Sequence, residues 1–92
     1  VKALDIDAVQ AFVLGADLRS FTRAAEALGT TQSAVRLKLR RLEDGLGQRL
    51  LDRTPRLVRL SAAGAAFLAP ARALLQAHHA ALPPGLPSYI QA

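Results

Sequence analysis

Two helices joined by a tight turn, a short proline-bearing hairpin and a long apolar helix together predict a mainly α fold. It is a winged helix-turn-helix, with a three-helix core and a short β-hairpin wing, followed by a long dimerisation helix. The helix pair is the stretch 20–42, SFTRAAEALGTTQSAVRLKLRRL. The hairpin is LLDRTPRLVRL at 50–60, where the pattern turns from helical to alternating. The long helix follows Ser61 and is almost free of charge.

Taken in order, residues 1–4 read as a frayed end, and Asp5 can cap a first helix carrying Ile6, Val9, Phe12, Val13 and Ala16 on one side. Its end falls somewhere among Gly15, Asp17 and Leu18. It is expected to form the third wall behind the helix pair. Ser20 caps the next helix, in which Phe21, Ala24, Ala25 and Leu28 form the apolar face. Gly29 lets the chain leave through a left-handed residue, and Thr30 or Thr31 caps the following helix. Val35, Leu39 and Leu42 continue the buried face there, until Gly45 or Gly47 ends it. Arg40, Arg41, Glu43 and Asp44 are expected to pair loosely as surface neighbours, which contributes little.

Pro55 cannot donate to a ladder, so it belongs in the turn between Leu50-Leu51 and Leu57-Val58-Arg59-Leu60. Arg53, Thr54, Pro55 and Arg56 then form a stiff basic tip. Ser61 caps the last helix, about 62–82. Phe67, Ala71, Leu74, His78 and Ala81 follow a four-three seam, with Leu68, Leu75 and Leu82 beside it at sevens. This face is wider than one neighbour needs, so a partner copy is implied, with Phe67, Leu68, Ala71, Leu74, Leu75, His78 and Leu82 at the interface. Pro70 should kink the helix. Three prolines within 83–87 end it in a stiff linker or tail, giving a division into 1–60, 61–82 and 83–92.

Composition narrows the function. The chain has 92 residues, one small domain with a marginal core of its own. Cysteine is absent, which excludes disulfides and thiolate metal sites. No apolar run is long enough to span a membrane and no signal-peptide pattern opens the chain, so a cytoplasmic, nucleoid-associated protein is expected. The start at Val1 and the lack of methionine predict a segment of a longer chain. Charge is concentrated: ten of the 12 basic residues lie between Arg19 and Arg59, against four acidic ones, and beyond Leu60 the one charged side chain is Arg72. A polyanion-binding segment followed by a packing segment fits that distribution.

Within the second helix of the pair, Gln32, Ser33, Arg36, Lys38, Arg40 and Arg41 are the polar residues before Leu42, none of them acidic. An amide and short hydroxyls in a first turn suit base edges and phosphates. Double-stranded DNA is the expected partner. A winged helix serving protein contacts is the alternative. An enzyme is not expected: Asp52, Ser61 and the adjacent His78 and His79 form no nucleophile signature, and there is no phosphate loop. No cofactor or metal is expected, because neighbouring histidines on a helix diverge.

The chain resembles the N-terminal DNA-binding domain of the LysR-type transcriptional regulators over about residues 4–82. The resemblance is carried by Phe12, Ser20-Phe21-Thr22, Ala24-Ala25, Thr31-Gln32-Ser33-Ala34-Val35, Leu42-Glu43, Leu46-Gly47, Leu50-Leu51, Arg53, Leu60-Ser61 and Gly64. It implies a dimer that binds interrupted inverted repeats in promoters. By position, Gln32 and Ser33 should reach bases, with Arg36 on the same face and Arg40 further along it. Ser20, Thr22, Arg23 and Thr31 should meet phosphates, and Arg53, Thr54, Pro55 and Arg56 should form the wing. Two positions depart from the family pattern. Residue 36 is usually a small hydroxyl residue and here is arginine; residue 37 is often polar or basic and here is Leu37. Arg36 could bond guanine or a phosphate, and the sequence leaves both open. The family also implies an effector-binding domain after the linker, and a small-molecule effector only where that domain exists.

Overall fold

Each helix begins where the sequence places a short oxygen-bearing side chain. Asp5 accepts from the Asp7 N–H at 3.0 Å, Ser20 from Arg23 at 3.1 Å, Thr31 from Ala34 at 3.1 Å and Ser61 from Gly64 at 3.0 Å. A cap of this kind is worth about 1 kcal/mol. The resulting elements, seen in a computed structural model that describes residues 3–53 and 58–82, are α1 (Ile6–Leu18), α2 (Phe21–Leu28), α3 (Gln32–Leu46), β1 (Leu51–Arg53), β2 (Val58–Leu60) and α4 (Ala62–Ala81). The tail at 83–92 and the hairpin tip at 54–57 lie outside the described residues.

The helix ends obey the same local chemistry. Gly29 and Gly47 both take left-handed φ, 67° and 70°. At each, two N–H groups fold back on the last turn: Gly29 and Thr30 onto Glu26 and Ala25, Gly47 and Gln48 onto Asp44 and Glu43. Gly47, not Gly45, therefore ends α3. Arg19 closes α1 at φ 54°, a conformation that costs a non-glycine residue about 1 kcal/mol.

One core serves all the elements. Val9 and Phe12 of α1, Phe21, Ala24 and Ala25 of α2, and Val35, Leu39 and Leu42 of α3 are buried together with Leu50, Leu51, Val58 and Ala71. α1 packs on α2, α3, α4 and β2, so it is the hub of the domain and not an outer wall. The wing strands pair antiparallel with Leu51 opposite Leu60, Asp52 opposite Arg59 and Arg53 opposite Val58.

Two expectations are corrected. Glu43 is not a loose surface partner: it is 8% exposed, and its carboxylate accepts from the N–H of Leu50 at 2.7 Å and of Leu51 at 3.3 Å. The reversal at Gly47 brings the entry to β1 back over the buried stripe of α3. Glu43 lies on that stripe, four residues after Leu39. Ala71 is not available to a partner copy, because its own domain leaves it 0% exposed. α4 turns its larger side chains toward its own domain: Phe67 packs on Phe12 with ring centroids 5.5 Å apart, and Leu68, Leu74 and Leu75 are half-buried against the core. Arg72 forms an ion pair with Asp17 of α1, with one contact at 3.0 Å, and that hydrogen bond and charge raise the guanidinium above its ordinary range. Both side chains are largely exposed, so the pair adds little stability. The helix runs unbroken from Ala62 to Ala81 through Pro70.

The start of α4 crosses the chain closely. Ser61 N–H donates to the Leu50 carbonyl at 3.0 Å, and the Ser61 hydroxyl donates to the Arg49 carbonyl. A Cβ at Gly64 would overlap that same Leu50 oxygen and lie 2.9 Å from its carbonyl carbon. Two predictions follow from these contacts. Glu43→Ala leaves two buried N–H groups without their carboxylate and should lower unfolding free energy by about 2–3 kcal/mol in urea titration, with Glu43→Gln losing less. Gly64→Ala should destabilise by about 1–3 kcal/mol through overpacking. Gly45→Ala, where a Cβ meets open space within α3, should stabilise by about 0.5–1 kcal/mol; equal thermal shifts for the two glycine variants would contradict this assignment.

Candidate nucleic-acid interface

The face of α3 opposite its buried stripe is polar by default, because Val35, Leu39 and Leu42 commit the other side to the core. Gln32, Arg36 and Arg40 recur at i, i+4, i+8 and are all exposed, with Ser33 beside the first. Leu37 shares this exposed side at 47%, an apolar spot in a basic field. Such a side chain suits contact with a thymine methyl group more than a phosphate.

Caps give the site its second feature. The Ser20 and Thr31 oxygens each accept a backbone N–H, which leaves the hydroxyl proton to be donated outward. The opening turn of each helix also points N–H groups along its axis, away from any carbonyl of that helix. Both starts therefore offer donors to an anion. Thr22 and Arg23 are exposed on the first turn of α2, and Ser20 is half-buried. Neither α2 nor α3 has an acidic residue in its first turn.

Arg36 does not project freely. Its guanidinium carbon lies over the Phe21 ring, 4.9 Å from the centroid, so α2 and α3 are bridged at the solvent edge of the core. Further along α3, Arg40 lines a groove of about 490 Å³ with Glu43, Asp44, Gly47, Gln48 and Arg49. Arg49 had no place in the sequence pattern; the turn at Gly47 brings it beside Arg40. At the wing, the β1 backbone ends at Arg53, while the Arg53 side chain and residues Thr54, Pro55 and Arg56 lie outside the described residues. On the paired strands, Asp52 and Arg59 are exposed and directly opposite. Opposite charges facing each other across a pair stabilise it modestly.

The rest of the surface offers little for chemistry. Among the described residues, no group of three histidines, cysteines or carboxylates could hold a metal ion. The His78 and His79 rings stand 5.8 Å apart near the end of α4. Among the same residues, no helix is long and apolar enough to cross a membrane.

Comparison with known proteins agrees with this geometry. Residues 6–65 match the model of the bacterial regulatory helix-turn-helix proteins of the lysR family, which runs from the first residue of α1 to the first turn of α4. The chain is 40% identical over 81 residues to the HTH-type transcriptional regulator DgdR of Burkholderia cepacia, a match that covers 88% of this chain and 28% of DgdR. It spans about a quarter of the length of the curated relatives it matches. Among solved structures, Vibrio fischeri DarR in complex with DNA superposes with a TM-score of 0.81 at 30% identity, covering 86% of this chain and 27% of DarR. The BenM DBD in complex with catB site 1 DNA gives a TM-score of 0.75 at 32% identity, covering 79% of this chain and 82% of that one. Sequence and architecture agree, and the chain belongs to the lysR family of bacterial regulatory helix-turn-helix proteins.

Proposed function

We propose that this chain is the DNA-binding part of a transcriptional regulator that reads inverted-repeat promoter sites as a dimer. The observation that carries the reading is the exposed, acid-free stripe of Gln32, Ser33, Arg36 and Arg40 beside the capped starts of α2 and α3. Similarity to DarR and to the BenM DBD, both solved with DNA, supports it. In this reading α3 enters the major groove, α2 crosses the sugar-phosphate backbone and the wing lies beside the adjacent minor groove. Gln32 and Ser33 meet base edges, and Ser20, Thr22, Arg23 and Thr31 meet phosphates. Arg53, Thr54, Pro55 and Arg56 form the wing contact.

The dimer is proposed to form through α4. Its interface draws on the residues that α4 leaves accessible: Phe67, Leu68, Leu74, Leu75 and His78 keep part of their surface, and so does Leu82 just past its end. The fully exposed residues of the helix include Ala66, Pro70, Ala73 and Ala77, small enough to let a second helix approach closely. Two-fold pairing would set the spacing of the two recognition helices.

Selection from a randomised duplex pool across a salt series tests the proposal. An enriched inverted repeat with steeply salt-dependent affinity is expected. No retention even at low salt would refute DNA binding and favour a protein-contact module. Gln32→Ala should cut the ratio of specific to non-specific affinity by about 1–3 kcal/mol, with little change on unselected DNA. Leu74→Asp should shift the chain toward monomer in sedimentation while its melting curve stays cooperative. Phe67 is a poorer probe, because its ring also packs on Phe12.

A further inference from the structure

Arg36 is exposed on the same stripe as Gln32, yet its guanidinium is held over Phe21, the first residue of α2. Phe21 is 3% exposed, so the cation covers an otherwise buried ring at the seam between the two helices. Accepting the DNA-binding reading above, we infer that Arg36 is a phosphate-gripping residue that fixes the register of α3 in the groove and does not read a base. A bidentate contact with guanine requires the arginine to extend from α3 to the groove floor. From its position over Phe21 the side chain would have to leave the ring and uncover the core edge to do so. A phosphate contact asks for no such move, because the first helix of a helix-turn-helix is the one that crosses the backbone. An arginine resting on an aromatic face keeps its N–H edges free to bond an anion while the ring limits its motion. The stack thus converts a residue on the recognition helix into a backbone contact, and base choice is left to Gln32 and Ser33.

The test compares the wild-type chain with Arg36→Met and Arg36→Lys on two duplexes, one bearing the selected site and one scrambled, across a salt series. Arg36→Met keeps an aliphatic cover on Phe21 and removes the charge. It should weaken binding to both duplexes by the same factor, about tenfold for one charged contact. The slope of log affinity against log salt should fall by about one per protomer. Arg36→Lys should keep the wild-type slope, and the preferred sequence should be unchanged in both variants. Loss confined to the selected duplex, with preference relaxed at one base pair, would overturn the inference in favour of base reading. An unchanged slope in Arg36→Met, with only its melting temperature lowered, would overturn it in favour of a covering role. If the wild-type chain bound neither duplex at low salt, the DNA-binding reading itself would fall, and this inference with it.

Discussion

The Glu43 carboxylate is the contact on which the arrangement of the domain depends. It is a buried acid in a chain of net charge +5, and it is satisfied by two backbone N–H groups at the entry to the wing. A carboxylate in that position is costly without partners and strongly directional with them. It fixes where the chain must pass after leaving α3, and the Gly47 turn is the shortest route that delivers Leu50 and Leu51 there. Leu50 and Leu51 are then 1% and 0% exposed, so the polar clamp and the apolar burial reinforce each other. Without it the wing would join α3 by an unanchored loop, and its tip would have no defined relation to the recognition face.

The division of labour within α3 follows from periodicity. Its stripe of Val35, Leu39 and Leu42 must be buried, and everything a third of a turn or more away must face water. The basic residues occupy that remaining arc, which is why the helix can be both a structural member and a binding surface. Capping adds to this. The same hydroxyl that satisfies a helix N–H presents its proton to solvent, so Ser20 and Thr31 serve stability and recognition with one atom.

Local rules made much of this legible in the sequence. The caps at Asp5, Ser20, Thr31 and Ser61 depend on neighbours two or three residues away, and the exits at Gly29 and Gly47 on a single backbone angle. The exposed stripe of α3 was readable for the same reason. What periodicity could not supply were contacts between residues distant in sequence. Glu43 looked like a surface acid beside Arg40 and Arg41, although its register with Leu39 placed it on the buried side. The Asp17–Arg72 pair joins helices more than 50 residues apart, and the Arg36–Phe21 stack joins two whose crossing geometry no spacing rule gives. The breadth of the α4 apolar face was correctly apparent, but how it is shared was not. Ala71 and Gly64 are consumed by the domain itself, because small residues there let α4 lie flat on β2 and α1.

That sharing has a mechanical consequence. The peptide units around Leu50 bond in two directions: the Leu50 N–H donates to Glu43 of α3, and its carbonyl accepts from Ser61 at the start of α4. Gly64 keeps the helix pressed on that carbonyl, while Phe67 on Phe12 and Arg72 on Asp17 hold the next turns to α1. The recognition helix and the proposed dimerisation helix are therefore joined through one short backbone segment and one shared core, with no flexible joint between Leu42 and Phe67. A dimer built on α4 would fix the distance and angle between its two recognition helices as rigidly as each core is packed. Spacing between half-sites would then be set by how α4 meets its copy. Any signal that altered spacing would have to act on that helix pair, because packed cores resist gradual deformation.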